Sequence, residues 1–165
     1  MNKTFMVIML GLGIVLSAGV AGAEDAVIAI GKKVKFDYTL TVDGQAVETT
    51  QGKQPLLYVH GKGQLIQGLE RQMEGLKVGE AKTILVTPEE GYGPLREDAY
   101  QEFPKDRFPK GMYLEPGTVL NMEDEDGNTY RGVILEVKEY SAVVNFNHRF
   151  AGKILKFDVK VISVE

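Results

Sequence analysis

From Val34 to Val42, apolar and polar side chains alternate without a break. Val34, Phe36, Tyr38, Leu40 and Val42 fall on one side, and Lys33, Lys35, Asp37, Thr39 and Thr41 on the other. A period of two describes a strand with one face in the core and one in water. Near the end of the chain Leu155, Phe157, Val159 and Val161 alternate with Lys156, Asp158 and Lys160 in the same way. Between these strands the period changes once. Leu65, Ile66, Leu69, Met73 and Leu76 recur at three- and four-residue steps, which predicts a short helix with one apolar face. Gly75 stands where a left-handed residue would end that helix, and Gly79 supplies a turn. Residues 81–87 are rich in β-branched side chains and predict a strand. Residues 88–93 then form a loop that presents Tyr92 between two glycines.

The remaining elements follow from turn chemistry. Asp43-Gly44 is a hairpin signal, and Ala46-Val47-Glu48 begins the return strand. Residues 51–55 form a loop before a short strand, Leu56-Leu57-Tyr58-Val59. Residues 24–30 read as a loose lead-in. Beyond Gly93 the texture changes: residues 94–115 mix prolines with spaced aromatic and apolar groups. Residues 118–122, 129–137 and 141–146 then predict strands, with the acidic run at 123–126 as a solvated hairpin tip. The fold class is α+β: an antiparallel sheet wrapped on a short helix, with a small β-rich insertion between Gly93 and Asn147.

Composition narrows the function without fixing it. The chain has 165 residues, 44% hydrophobic and 25% charged, enough for one cored domain carrying a smaller one. A net charge of −4 lacks the basic footprint of a nucleic-acid binder. Residues 1–23 match an export signal: Asn2-Lys3 leads an apolar run from Phe5 to Leu16, and Ala21-Gly22-Ala23 is a small-residue cleavage site. Cutting after Ala23 leaves 18 basic against 23 acidic side chains and a periplasmic or otherwise exported protein without a membrane attachment. The same run, if left uncut, is just long enough to be an anchor. There is no cysteine, so the chain has no disulfide framework and no thiolate metal site.

Several kinds of chemistry drop out. His60 and His148 are far apart and have no metal-ligand spacing, so each reads as a turn residue or a structural hydrogen-bonder and no metal is expected. No G-x-S-x-G elbow occurs, and Gly61-Lys62-Gly63 lacks the frame of a phosphate loop. What remains is an apolar pocket with few polar groups, which suits a reaction in which no bond breaks. Rotation about a peptide bond faces a barrier of roughly 18–20 kcal/mol because resonance holds the amide planar. A pocket that binds the twisted amide better than the planar one lowers that barrier. No cofactor is needed.

The run GKGQLIQGLERQMEGLKVGEAKTILVTPEEGYG, with the earlier VKFDYTLTVDG and the closing LKFDVKVISVE, resembles the FKBP-type peptidyl-prolyl isomerases. The insertion after Gly93 and the stretch NFNHRFAGKILKFDVKV resemble the SlyD-like branch, which carries an insert-in-flap chaperone domain. The resemblance covers nearly all of the chain after residue 23. With the signal peptide at 1–23 set aside, it implies a discontinuous isomerase domain at 24–93 and 148–165 and the insert at 94–147.

By resemblance, Leu69 floors the pocket where many family members carry tryptophan. Tyr38 and Phe157 are its aromatic walls, and Val47 and Leu56 add apolar surface. Leu65 and Ile66 line the helix entrance, with the Ile66 N–H and the Tyr92 hydroxyl donating to substrate carbonyls. Glu48 takes the place where the family usually has aspartate. The implied partners are unfolded or partly folded proline-containing polypeptides, met by a monomer. In the insert, Tyr100, Phe103, Phe108, Met112, Tyr113, Met122, Tyr130 and Phe146 offer an apolar groove for such chains, or fill the insert's own small core. Two other readings compete with the isomerase. One is a non-catalytic chaperone with a weak pocket, and the other is a structural envelope domain that binds no client.

Overall fold

The two alternating stretches at opposite ends of the chain are partners. The computed structural model describes residues 26–123 and 126–165. The export pattern at 1–23, with its cleavage site, and two residues of the acidic tip, Asp124 and Glu125, lie outside the described residues. Strand β1 (Lys33–Val42) runs antiparallel to the last strand, β9 (Leu155–Val164), with Phe36 opposite Val161, Tyr38 opposite Val159 and Leu40 opposite Phe157. Both strands therefore turn their apolar sets to the same side. Strands β2 (Gln45–Thr49) and β3 (Leu56–Val59) pair with β1, and β4 (Ala81–Val86) pairs with β9. The result is a five-stranded antiparallel sheet with β1 and β9 at its centre.

One helix, α1 (Gln67–Met73), lies on the apolar face of that sheet. It is seven residues long and has no side-chain cap, so its stability comes from packing rather than propensity. Leu69 and Met73 are buried against Phe36, Ile84, Val86 and Phe157 in one continuous core. Gly68 is what permits the approach: a Cβ there would stand 2.7 Å from Val86 Cγ1 and 2.9 Å from Glu90 Cβ. Gly75 ends the helix segment at φ +79°, in the left-handed region expected for it.

The described part of the segment read as a loose lead-in, residues 26–30, is not loose. Ile28 is buried in the core. Its N–H donates to the Leu76 carbonyl at 2.9 Å, and its carbonyl accepts from the Gly75 N–H at 2.8 Å. Val27 forms an isolated bridge with Lys77. With only a single bridge to pair it, this segment shows no alternation that sequence periodicity could register.

The insertion builds a second sheet from β5 (Tyr100–Pro104), β6 (Val119–Glu123), β7 (Thr129–Val137) and β8 (Ser141–Asn145), in the order β5-β8-β7-β6. It has a core of its own: Phe108, Leu120, Ile134, Ala142 and Val144, with Phe103, Met112, Met122 and Phe146 packed against it. The two chain crossings between the sheets are stitched together. The Gly152 N–H donates to the Gly93 carbonyl at 2.8 Å, the Arg96 N–H to Asn147 Oδ1 at 2.9 Å, and Asn147 Nδ2 to the Arg96 carbonyl at 3.1 Å. Strand β5 is the element that the pattern misses. Its residues Gln101, Glu102 and Pro104 are exposed and its only half-buried side chain is Phe103.

Candidate functional site

Between α1 and the sheet lies a cavity of about 190 Å³. Of the nine residues singled out from sequence, Tyr38, Glu48, Leu56, Leu65, Ile66, Leu69, Tyr92 and Phe157 line it, together with Phe36, Leu40 and Gln64. Strand β1 contributes Phe36, Tyr38 and Leu40 from one face, and β9 contributes Phe157 opposite Leu40. Helix α1 supplies Leu69 as the floor, with Leu65 and Ile66 at its entrance. Tyr38 sits 6.0 Å from Phe157 and 5.8 Å from Phe36, ring centre to ring centre, so three aromatic rings form one continuous wall.

Val47 is the exception. It is 43% exposed and does not line the cavity. The cause is a break in the β1–β2 register. Leu40 pairs with Glu48, but Thr41 pairs with Ala46, which leaves Val47 as the extra residue of a bulge. The bulge turns Val47 away from the pocket wall that the resemblance implies for it. Phe36 and Leu40 were missed for the opposite reason, since they share the face of Tyr38 at two-residue steps and that period alone places them. Gln64 carries no such signal; its Oε1 accepts from the Val59 N–H at 2.7 Å, which ties the turn before α1 to β3.

Polar groups at the cavity are few and placed. The Tyr38 hydroxyl donates to Glu48 Oε1 at 2.5 Å. Burial, and then this bond to a carboxylate, push the Tyr38 phenol well above its ordinary range, so the ring keeps its proton. The Tyr92 ring stands at the mouth, 39% exposed. It stacks on His148, with centroids 3.8 Å apart and planes 13° from parallel, and meets Phe150 at 5.8 Å. Ile66 occupies the N-cap position of α1 with ψ 143°, so its own N–H precedes the helical turns. His60, the other histidine, is buried away from the cavity and bonded through Nδ1 to the Tyr58 hydroxyl at 3.1 Å. Among the described residues no three histidine, aspartate or glutamate side chains gather as a metal site.

A second hollow, of about 440 Å³, opens in the insert between Phe103, Met122, Tyr130 and Phe146, with Arg96, Asp98 and Glu123 among the charged groups on its rim. Of the insert residues read as a groove, Phe108 is buried in the core, whereas Tyr100, Tyr113 and Tyr130 are exposed.

The family model described as FKBP-type peptidyl-prolyl cis-trans isomerase matches residues 24–162. The chain is 41% identical over 133 residues to the FKBP-type peptidyl-prolyl cis-trans isomerase SlyD of Aeromonas hydrophila, covering 79% of this chain and 61% of that protein's length. It is 33% identical over 149 residues to the short-type peptidyl-prolyl cis-trans isomerase of Methanocaldococcus jannaschii, covering 82% of this chain and 92% of that one. It is 34% identical over 142 residues to the SlyD of Escherichia coli, covering 86% of this chain and 69% of the relative.

Proposed function

The chain belongs to the FKBP-type peptidyl-prolyl cis-trans isomerases, and from that premise we propose that the cavity over α1 accelerates X-Pro rotation in folding polypeptides while the inserted sheet holds unfolded chains. The observation that carries the catalytic half is the small aromatic-walled cavity with Tyr92 at its mouth. A proline ring enters against Leu69, Phe36 and Phe157. Burial favours the less polar twisted amide over the planar one, which acts only on the rotating bond. The Tyr92 hydroxyl and the Ile66 N–H donate to carbonyls of the bound peptide and fix its direction. Tyr38 is a wall whose hydroxyl is committed to Glu48. Rotation passes no proton and makes no covalent bond, so the residues bind and orient only.

The chaperone half rests on the insert's hollow and its exposed tyrosines, beside a separate core. Met122 on that hollow adapts its shape to varied side chains. This supports dividing the chain into an isomerase domain at 24–93 and 148–165 and a client-binding insert at 94–147. The pattern at residues 1–23 supports export with cleavage after Ala23. The mass of the protein recovered from the cell envelope tests this, with loss of 23 residues as the expected result. The monomeric state is tested by light scattering on the same sample.

The deciding experiment is refolding of a proline-limited substrate. Uncatalysed isomerisation takes tens to hundreds of seconds, so catalysis is plain when present. Acceleration by substoichiometric protein supports the isomerase. Suppressed aggregation without acceleration replaces it with a binding module.

A further inference from the structure

Tyr92 and His148 are separated in sequence by the whole insert, yet their rings are stacked at 3.8 Å. Tyr92 lies after β4, just before the insert begins, and His148 just after the insert ends, before β9. His148 is itself fixed. Its Nδ1 accepts from the Phe150 N–H at 3.2 Å, its carbonyl accepts from the Ala151 N–H at 2.8 Å, and the Phe150 ring braces it edge-on at 5.7 Å. With Nδ1 accepting, the neutral ring carries its proton on Nε2.

Resting on the isomerase reading above, we propose that neutral His148 positions Tyr92 at the mouth of the cavity, and that protonation of His148 releases it, so that the rate falls in acid. A second proton can go only onto Nδ1, the lone pair that Phe150 uses. Two N–H groups then face each other, and the ring must rotate or the turn at 148–151 must shift. Either movement takes the imidazole plane off Tyr92. An imidazolium is attracted to a phenol face, but here it forfeits the Phe150 bond.

Of the charged groups around it, Arg149 acts on the imidazole and favours its neutral form. On its own turn His148 has Arg149 next in the chain, with the guanidinium 4.3 Å from the centre of the Phe150 ring, and Lys153, which is paired with Asp43. From the turn that carries Tyr92 come Glu89, which is exposed, and Glu90, which is paired with Arg71. At the crossing, Arg96 is paired with Asp98. Burial first, and Arg149 second, hold the His148 imidazole below its ordinary range. The neutral, stacking form therefore prevails at neutral pH, and the change falls on the acid side.

The test is the pH dependence of kcat/KM in a protease-free peptide isomerisation assay from about pH 7.5 to about pH 5, which brackets the imidazole range. The native protein is expected to lose about threefold to tenfold over that range, the factor that one neutral hydrogen bond to substrate commands. The loss should follow one proton, with the midpoint that NMR reports for the His148 ring. His148→Phe keeps an aromatic stack without a titrating group, so its profile should be flat. A His148→Phe profile that falls like the native one overturns the proposal. In the native protein the Tyr92 ring resonances must move with the His148 midpoint, and rings that stay still through that titration also overturn it. This NMR readout holds if His148→Phe fails to fold. It also holds if no isomerase activity is found, an outcome that would sink the function but leave the positioning decided by the Tyr92 shifts.

Discussion

The hydroxyl of Tyr38 donates a 2.5 Å hydrogen bond to Oε1 of Glu48 across the first hairpin. The two are not directly opposed: Glu48 faces Leu40, and the bond runs diagonally, a span that suits a long carboxylate side chain. The ring and its partner form a rigid edge to the cavity, and the phenol proton is held in place.

Two phenols held above their ordinary range make the protein sensitive to alkali. Tyr38 is raised by burial and then by Glu48, and Tyr58 by burial and then by Glu70. A group whose folded value lies above its unfolded value stabilises fully below the unfolded value, near 10 for a phenol, and loses that contribution as pH rises past it. Urea midpoints should therefore hold steady through neutral pH and fall above about pH 10. Tyr38→Phe should flatten part of that fall. Phenolate absorbance should show Tyr38 and Tyr58 ionising only with unfolding.

Much of this arrangement is legible in the sequence, for reasons that also explain the gaps. The alternation from Val34 to Val42 and from Leu155 to Val161 survives because both strands sit at the sheet centre with one wet face. The helix is legible because Leu69 and Met73 must both reach the core. Eight of the nine chosen residues meet at one cavity, largely because the family resemblance carries register that periodicity lacks. Val47 lies outside that cavity at a bulge, which has no signature in side-chain type. Ile28 escapes the pattern because its segment, with one isolated bridge at Val27, has no period. His148 reads as a turn or hydrogen-bonding residue, and it is both. Its stack on Tyr92 depends on where the insert returns, which no local pattern encodes.

Gly68 sets how closely α1 approaches β4. Replacing it with alanine gains roughly 1 kcal/mol of helix propensity. The new Cβ, however, would stand 2.7 Å from Val86 Cγ1 and 2.9 Å from Glu90 Cβ. Overpacking of that kind costs about 1–3 kcal/mol, so the two terms oppose and the clash is expected to win. Gly68→Ala should lower stability by up to about 2 kcal/mol in urea unfolding. It should also displace the α1 floor and weaken peptide binding. A more stable variant would show that α1 lifts freely from the sheet.

Tyr92→Phe separates the hydroxyl from the ring. The ring keeps its place on His148 and beside Phe150, so stability should change by less than about 0.5 kcal/mol. If the hydroxyl donates to a substrate carbonyl, its loss removes one neutral hydrogen bond, worth about 0.5–1.5 kcal/mol. kcat/KM on a short proline peptide should fall about twofold to tenfold. An unchanged value would remove Tyr92 from the site and leave the Ile66 N–H as the candidate donor.

The insert should be separable from the cavity. Gly93 and Gly152 are already joined by a 2.8 Å hydrogen bond, so a short loop replacing residues 94–147 closes a gap that is nearly closed. Closing a shorter loop also costs less entropy, by about 0.6 kcal/mol per halving. The five-stranded sheet and α1 keep their own core when the second sheet and its separate cluster are removed. The truncated protein should stay folded and keep most of its rate on short peptides, where only the cavity is used. On an unfolded protein substrate it should lose at least about tenfold, because the client is no longer held near the cavity at raised effective concentration. Equal losses on both substrates would mean that the insert shapes the cavity itself, through the Tyr92 and His148 stack that its two ends hold together.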